Sequence, residues 1–290
     1  MKYATWVYKN NQQAGILSQD GKSLHSFESV GINCGGLLDF IEKHTQADID
    51  VLHKAANSSG IPIGEATLLA PLPKPSHDII CVGLNYLEHA KESQSFDIKE
   101  DAACEQAVYF SKRAAFVSGP EANICSHNDI ETRLDYEAEL AVIIGREAKN
   151  VQHDAVWGHV FGLCCFNDLS ARDLQHTHKQ WYFGKSLDTL AAMGPYIVSL
   201  DEFSFPLALR ICSRVNGETR QDANTEDMLF TVEHIVSELS KGITLFPGDI
   251  IATGTPKGVG AGFTPPRCMQ GGDTVEIEIQ GCGILRNTIV

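Results

Sequence analysis

Apolar and polar positions alternate over residues 2–27 as in short strands, with turns read at Asn10-Asn11 and Asp20-Gly21. Helical spacing follows over residues 37–44 and 47–56. Pro71, Pro73 and Pro75 then fall within seven residues, the only proline-rich segment and the best boundary. This divides the chain into a small β-rich unit, residues 1–70, and a larger unit, residues 71–290. Continuous apolar character makes residues 79–83 a buried strand. Asn85 next reads as a helix start, with Glu88 three residues on in the manner of a capping box. Residues 160–166 read as another buried strand ending in Asn167-Asp168, and Ser170 with Asp173 as a second helix start. Asn216-Gly217 predicts a hairpin between residues 207–215 and 218–221. Val232, Ile235, Val236 and Leu239 form one apolar helix face closed by Gly242. Gly248-Asp249 and Gly272-Asp273 each introduce a strand, so the fold class is a mixed, β-rich α+β protein.

The stretch from Asp135 to Gly145 organises the rest. It alternates at period two and then turns apolar on both faces, as a strand does when it passes from a cleft into a core. Residues i and i+2 of a strand point the same way, which puts Glu137 and Glu139 on one face roughly 7 Å apart along the chain. Two carboxylates ~5 Å apart repel by about 3 kcal/mol at an effective dielectric near 20, so a partly buried pair needs a counter-charge. A divalent cation supplies it. The same Glu-x-Glu spacing recurs at Glu276 and Glu278, where clean alternation predicts an ordinary half-exposed strand. Asp168 either caps the helix that follows or adds a third carboxylate to the Glu137 and Glu139 site. Three hard oxygen ligands suit Mg²⁺, Mn²⁺ or Ca²⁺ better than Zn²⁺.

Other patterns are weaker. His89 and Glu92 are i,i+3 neighbours on a helix, so the carboxylate can orient the imidazole. His176 and His178 face different ways on a helix and make a poor zinc pair. Gly184-Lys185-Ser186 imitates the end of a P-loop without its first glycine. Gly254-Thr255-Pro256-Lys257-Gly258-Val259-Gly260 follows a strand, and its glycines would let backbone N–H groups approach an anionic substrate.

Composition narrows the function. At 290 residues with 43% hydrophobic side chains, the chain can bury one large core. A formal charge of −14 argues against nucleic-acid and anionic-membrane partners. No apolar run approaches ~18 residues and the first residues lack a signal-peptide core. Nine scattered cysteines without a C-x-x-C suggest reduced thiols and a cytoplasmic location. Adjacent Cys164 and Cys165 read as packing residues on opposite faces of a strand.

Taken in order, several pieces resemble the fumarylacetoacetate hydrolase (FAH) family. They are Val82-Gly83-Leu84-Asn85-Tyr86 with His89 and Glu92, Asp135-Tyr136-Glu137-Ala138-Glu139-Leu140, Asn167-Asp168-Leu169-Ser170-Ala171-Arg172-Asp173-Leu174-Gln175, Gly184-Lys185-Ser186-Leu187-Asp188-Thr189, and Pro247-Gly248-Asp249 with Gly254-Thr255-Pro256. The resemblance covers about residues 78–290, and residues 1–70 resemble only the variable N-terminal extension of such proteins. It implies an FAH-type β-sandwich roll with a small N-terminal α/β extension, commonly a homodimer, holding Mg²⁺ or Mn²⁺. Glu137, Glu139 and Asp168 match the metal ligands, and His89 and Glu92 the dyad that activates water in hydrolytic members. Lys185 matches a charge-stabilising lysine. Arg172, Gln175, Gly254 and Thr255 match positions that hold the oxygens of a small anionic keto acid. Phe110-Ser111-Lys112-Arg113 and Leu190-Ala191-Ala192 depart from the usual Phe-x-Lys-Pro and Phe-Cys-Pro. The leading expectation is a metal-dependent hydrolase cleaving a C–C bond of an acylpyruvate-like or 3-oxo acid. The alternatives are an isomerase, tautomerase or decarboxylase of related keto dioates such as oxaloacetate or 2-hydroxyhepta-2,4-diene-1,7-dioate, and a non-catalytic ligand-binding relative.

Overall fold

A strand that is apolar on both faces must be covered on both faces, and Ala138–Ile144 is buried at every position. In the computed structural model, which describes residues 1–93 and 105–290, it lies inside an eleven-stranded sheet. Leu140, Val142 and Ile144 enter one core, shared with Ile211, Ile277 and Leu285 of a five-stranded sheet stacked against that face. Ala141 and Ile143 enter a second core on the other side, with Phe40, Ile41 and Leu52 of the helices Leu37–Lys43 and Gln46–Ala55. The neighbouring strand Val160–Asp168 splits in the same way, Cys165 into the first core and Cys164 into the second. The result is the mixed β-rich α+β fold expected, two sheets face to face with helices outside.

Pairing converges on one end of the large sheet. The start of Ala138–Ile144 runs antiparallel to the end of Val160–Asp168, with Ala138 opposite Asn167. On its other side lies Ile250–Ala252, which pairs in parallel with Ile79–Gly83. The residues that leave these strand ends, 84–89, 136–139, 167–172 and 253–255, are thereby gathered in one place. The N-terminal strands Lys2–Tyr8, Asn11–Leu17 and Ser23–Ser26 extend the same sheet, through Lys2 opposite Val198 and Tyr3 opposite Ile197.

Several local readings need correction. The first turn is Lys9-Asn10, one residue earlier than expected, because Tyr8 pairs with Asn11 and both turn residues take positive φ. The Asp135-to-Gly145 stretch is not one strand: Leu134–Asp135 pairs with Ser170–Ala171, and Tyr136 and Glu137 form a break before Ala138. Asn85 does not cap the helix Leu87–Ser93; its amide donates to the Phe230 and Thr253 carbonyls and accepts from the Phe230 N–H, stapling two distant segments. Glu88 points to Lys91 instead. Ser170 is no cap either, since the helix Arg172–Thr177 starts at Ala171 without a side-chain cap and Ser170 donates to Glu137.

The expected hairpin and amphipathic helix are present. Asn216-Gly217 turns the hairpin between Arg210–Val215 and Glu218–Asn224 with both φ positive. Val232–Gly242 buries Ile235, Val236 and Leu239, and Thr231 caps it. The eight cysteines among the described residues are free, and Cys104 lies outside them. No helix among the described residues is long and apolar enough to cross a membrane.

Candidate active site

The strand ends deliver three carboxylates to one point. Ligand oxygens of Glu137, Glu139 and Asp168 lie within 4.8 Å of one another, and all three residues are buried. Backbone bonds hold them there: Asp168 N–H donates to the Glu137 carbonyl (3.0 Å), and Glu137 N–H donates to Asn167 Oδ1 (3.0 Å). Asp168 therefore joins the carboxylate site and does not cap the helix. Gly254 N–H donates to Glu139 Oε2 (2.8 Å). Gly254 takes φ +94°, and a Cβ there would sit 2.8 Å from the Val82 carbonyl, so this close approach requires glycine.

Cations meet two of the three. Lys185 Nζ bridges Glu137 Oε2 and Asp168 Oδ2 at 2.7 Å each. Arg172 spans Asp135 Oδ2 (2.9 Å) and Glu137 Oε1 (2.8 Å). Lys112, fully buried, reaches Asp168 Oδ1 (2.7 Å) and donates to the Leu169 carbonyl (2.8 Å). Burial would push Glu137 up, but Lys185 and then Arg172 overcome it and hold the carboxyl at about 2. Glu139 goes the other way. Burial, then the Asp168 and Glu137 charges, raise it well above the ordinary carboxylate range. Lys112 is pushed down by its burial, against the pull of Asp168.

Four buried carboxylates, Asp135, Glu137, Glu139 and Asp168, thus face three buried cations, Lys112, Arg172 and Lys185. The excess negative charge falls on Glu139. A divalent cation would convert that excess into a net positive charge able to attract an acid. The three donors are hard oxygens without thiolate or imidazole among them, so the residues fit Mg²⁺ or Mn²⁺.

A dyad lies beside the carboxylates. His89 Nδ1 is 3.1 Å from Glu92 Oε2, and Gly258 N–H donates to the Glu92 carboxylate at 3.1 Å. With Nδ1–H given to a carboxylate, Nε2 is left as the free lone pair. His89 lines a small cavity with Glu137, Glu139, Arg172, Gln175, Lys185 and Thr255. Gln175 Oε1 accepts from Arg172 Nη1 (3.0 Å), and Thr255 Oγ1 accepts from Gln221 Nε2 (2.7 Å). All ten candidate residues therefore meet around one cavity or brace its walls. A larger hollow of about 530 Å³, near Thr5, Gln13 and Phe116, contains none of them.

The glycine-rich loop serves a different end from the one its composition suggests. Its N–H groups do meet anions, but the protein's own: Gly254 meets Glu139, Gly258 meets Glu92, and Gly260 and Ala261 meet Asp135. Sequence reading missed the supports. Asn85, Lys112, Asp135, Asn167 and Gln221 are polar, buried and bonded to the site, and the available signal was a polar residue inside or beside an apolar run.

Residues 78–290 match the fumarylacetoacetate (FAA) hydrolase C-terminal family. The chain belongs to the FAH family. An oxaloacetate tautomerase of Bacillus subtilis is 39% identical, covering 100% of both chains. Among solved structures, a fumarylacetoacetate hydrolase from the psychrophile Exiguobacterium antarcticum is 35% identical with a TM-score of 0.82, covering 100% of this chain and 99% of that one. A 2-hydroxyhepta-2,4-diene-1,7-dioate isomerase from Mycobacterium marinum is 27% identical with a TM-score of 0.72, covering 100% and 98%. Two of these three relatives are named for tautomerase or isomerase activity and one for hydrolase activity.

Proposed function

We propose that this protein is a divalent-metal-dependent tautomerase of a small keto diacid, interconverting keto and enol forms of oxaloacetate or a close analogue. The observation that carries the reading is the convergence of the His89–Glu92 dyad, Lys185 and three carboxylates on one cavity. Full-length similarity to an oxaloacetate tautomerase supports it. A divalent cation on Glu137, Glu139 and Asp168 would act as a Lewis acid toward the 2-oxo group of the substrate. Lys185, whose burial is outweighed by Asp168 and Glu137, stays protonated and stabilises negative charge growing on the C2 oxygen. Arg172 holds Glu137 in place and Gln175 braces Arg172. His89 Nε2 takes a proton from C3 and returns it to the C2 oxygen, so no atom is gained or lost. Hydrolysis would ask the same base to activate a water beside the substrate.

We assign this chemistry to residues 71–290 and a supporting role to residues 1–70, with the chain acting as a cytoplasmic homodimer. Light scattering at twice the chain mass tests the last point. The activity test follows the enol absorbance of oxaloacetate with Mg²⁺ or Mn²⁺ and with chelator, while acylpyruvate cleavage and pyruvate release are measured in parallel. Metal-dependent loss of the enol, faster than either other reaction, is expected. Preferential acylpyruvate cleavage would return the assignment to a C–C hydrolase, and preferential pyruvate release to a decarboxylase.

A further inference from the structure

One wall of the cavity is aromatic. Trp181 and Phe110 line it together with the charged groups, with ring centroids 5.1 Å apart and planes at 82°. The Phe110 face in turn holds Lys185 Nζ at 5.3 Å from its centroid. Trp181 sits on the end of the strand Ile79–Gly83. A Cβ at Gly83 would fall 2.5 Å from Trp181 Cζ3 and 2.9 Å from Cη2, so the indole occupies the space a side chain would take there. Its backbone is tied to the site as well. Lys185 N–H donates to the Trp181 carbonyl (3.0 Å), within the short helix Tyr182–Lys185. Gly184 lets that helix close on Arg172–Thr177, since a Cβ would meet Gln175 N at 2.6 Å.

The space left is about 30 Å³, room for a water or two. Any keto diacid must displace part of the lining. The charged walls are locked by ion pairs and strand backbone, so room for a substrate is made at the half-buried Trp181, and the bulk of that indole limits how much. We propose that Trp181, seated on Gly83 and braced by Phe110, sets the upper chain length of the substrate. The cavity accepts four-carbon keto diacids and turns away six- and seven-carbon ones by steric exclusion. The inference takes its ligand class from the tautomerase reading, but the wall itself does not depend on turnover.

Binding separates the two. The Mg²⁺-saturated full-length protein is titrated calorimetrically with saturated 2-oxo diacids of four to seven carbons, for wild type, Trp181→Phe and Trp181→Ala. A mismatched methylene in a shaped pocket changes discrimination about tenfold or more. Wild type should bind the four-carbon acid at least about tenfold more tightly than the six- and seven-carbon acids. Trp181→Ala should close that gap to about threefold or less, with Trp181→Phe between, while the metal-dependent melting shift persists in both. Equal binding of all lengths by wild type, no binding of the four-carbon acid, or a uniform loss in Trp181→Ala would overturn the proposal. If the length preference is found but oxaloacetate enol is not turned over, the tautomerase reading fails and the wall stands.

Discussion

Glu137 and Glu139 share their two-residue spacing with Glu276 and Glu278, yet the two pairs have opposite fates. Glu276 pairs with Arg286 and Glu278 with Arg214, each carboxylate with its own arginine at the sheet surface. Their strand, Thr274–Ile279, alternates cleanly between buried and half-buried positions. Glu139 stands in a strand with both faces covered and Glu137 in the break just before it, beside a third carboxylate and under cations too few to neutralise all three. Spacing puts two carboxylates on one face. Burial and the count of opposing charges decide whether they form a site.

The sharpest way to break the comparison is Glu139→Ala, which should abolish metal-dependent turnover. At a hundredfold excess over its dissociation constant, Mg²⁺ or Mn²⁺ should stabilise the wild-type fold by about 2.7 kcal/mol, and this variant should lose that shift. Thermal melts with cation and with chelator read it directly; a retained shift would place the metal elsewhere. His89→Ala is expected to slow oxaloacetate tautomerisation on the order of 10²–10⁴-fold while leaving the melting shift intact, because His89 is not a ligand. Unchanged turnover would remove it as the base.

A third substitution, Glu139→Gln, tests the excess charge itself. The raised carboxyl of folded Glu139 favours folding below the ordinary carboxylate range, and that contribution is lost as pH rises through the folded value. At neutral pH in chelator, Glu139→Gln should therefore be more stable than wild type, by about 1 kcal/mol or more. The advantage should shrink in acid and reverse when metal is added. Melts across pH in chelator would refute this if the variant were less stable throughout. The smallest effect belongs to the surface pair. Glu278→Ala should cost about 1 kcal/mol at most and leave the metal shift unaltered.

The strands, the hairpin at Asn216-Gly217 and the amphipathic helix Val232–Gly242 were legible because each depends on local periodicity and turn chemistry. The carboxylate trio was legible once Asp168 was read with the Glu-x-Glu stretch. What escaped was whatever depends on partners far along the chain. Asn85 looks like a helix cap until Phe230 and Thr253 arrive beside it, and the capping pattern of Ser170 gives way to Glu137 and Asp168. Lys112 was legible only as part of the Phe-x-Lys segment, because its partner Asp168 lies far along the chain from the strand Val108–Lys112.

The parallel pairing of Ile79–Gly83 with Ile250–Ala252 has a kinetic consequence. It joins segments about 170 residues apart, and the Asn85 bonds to Thr253 and Phe230 close the same long loop. No fragment lacking the C-terminal third can assemble the cavity, because Glu139 then lacks Gly254 and Glu92 lacks Gly258. Such long-range contacts form late and slowly compared with local ones. A growing chain therefore gains the complete carboxylate cradle only near the end of synthesis, and protection of the site from exchange should track folding of the whole chain rather than of any one strand pair.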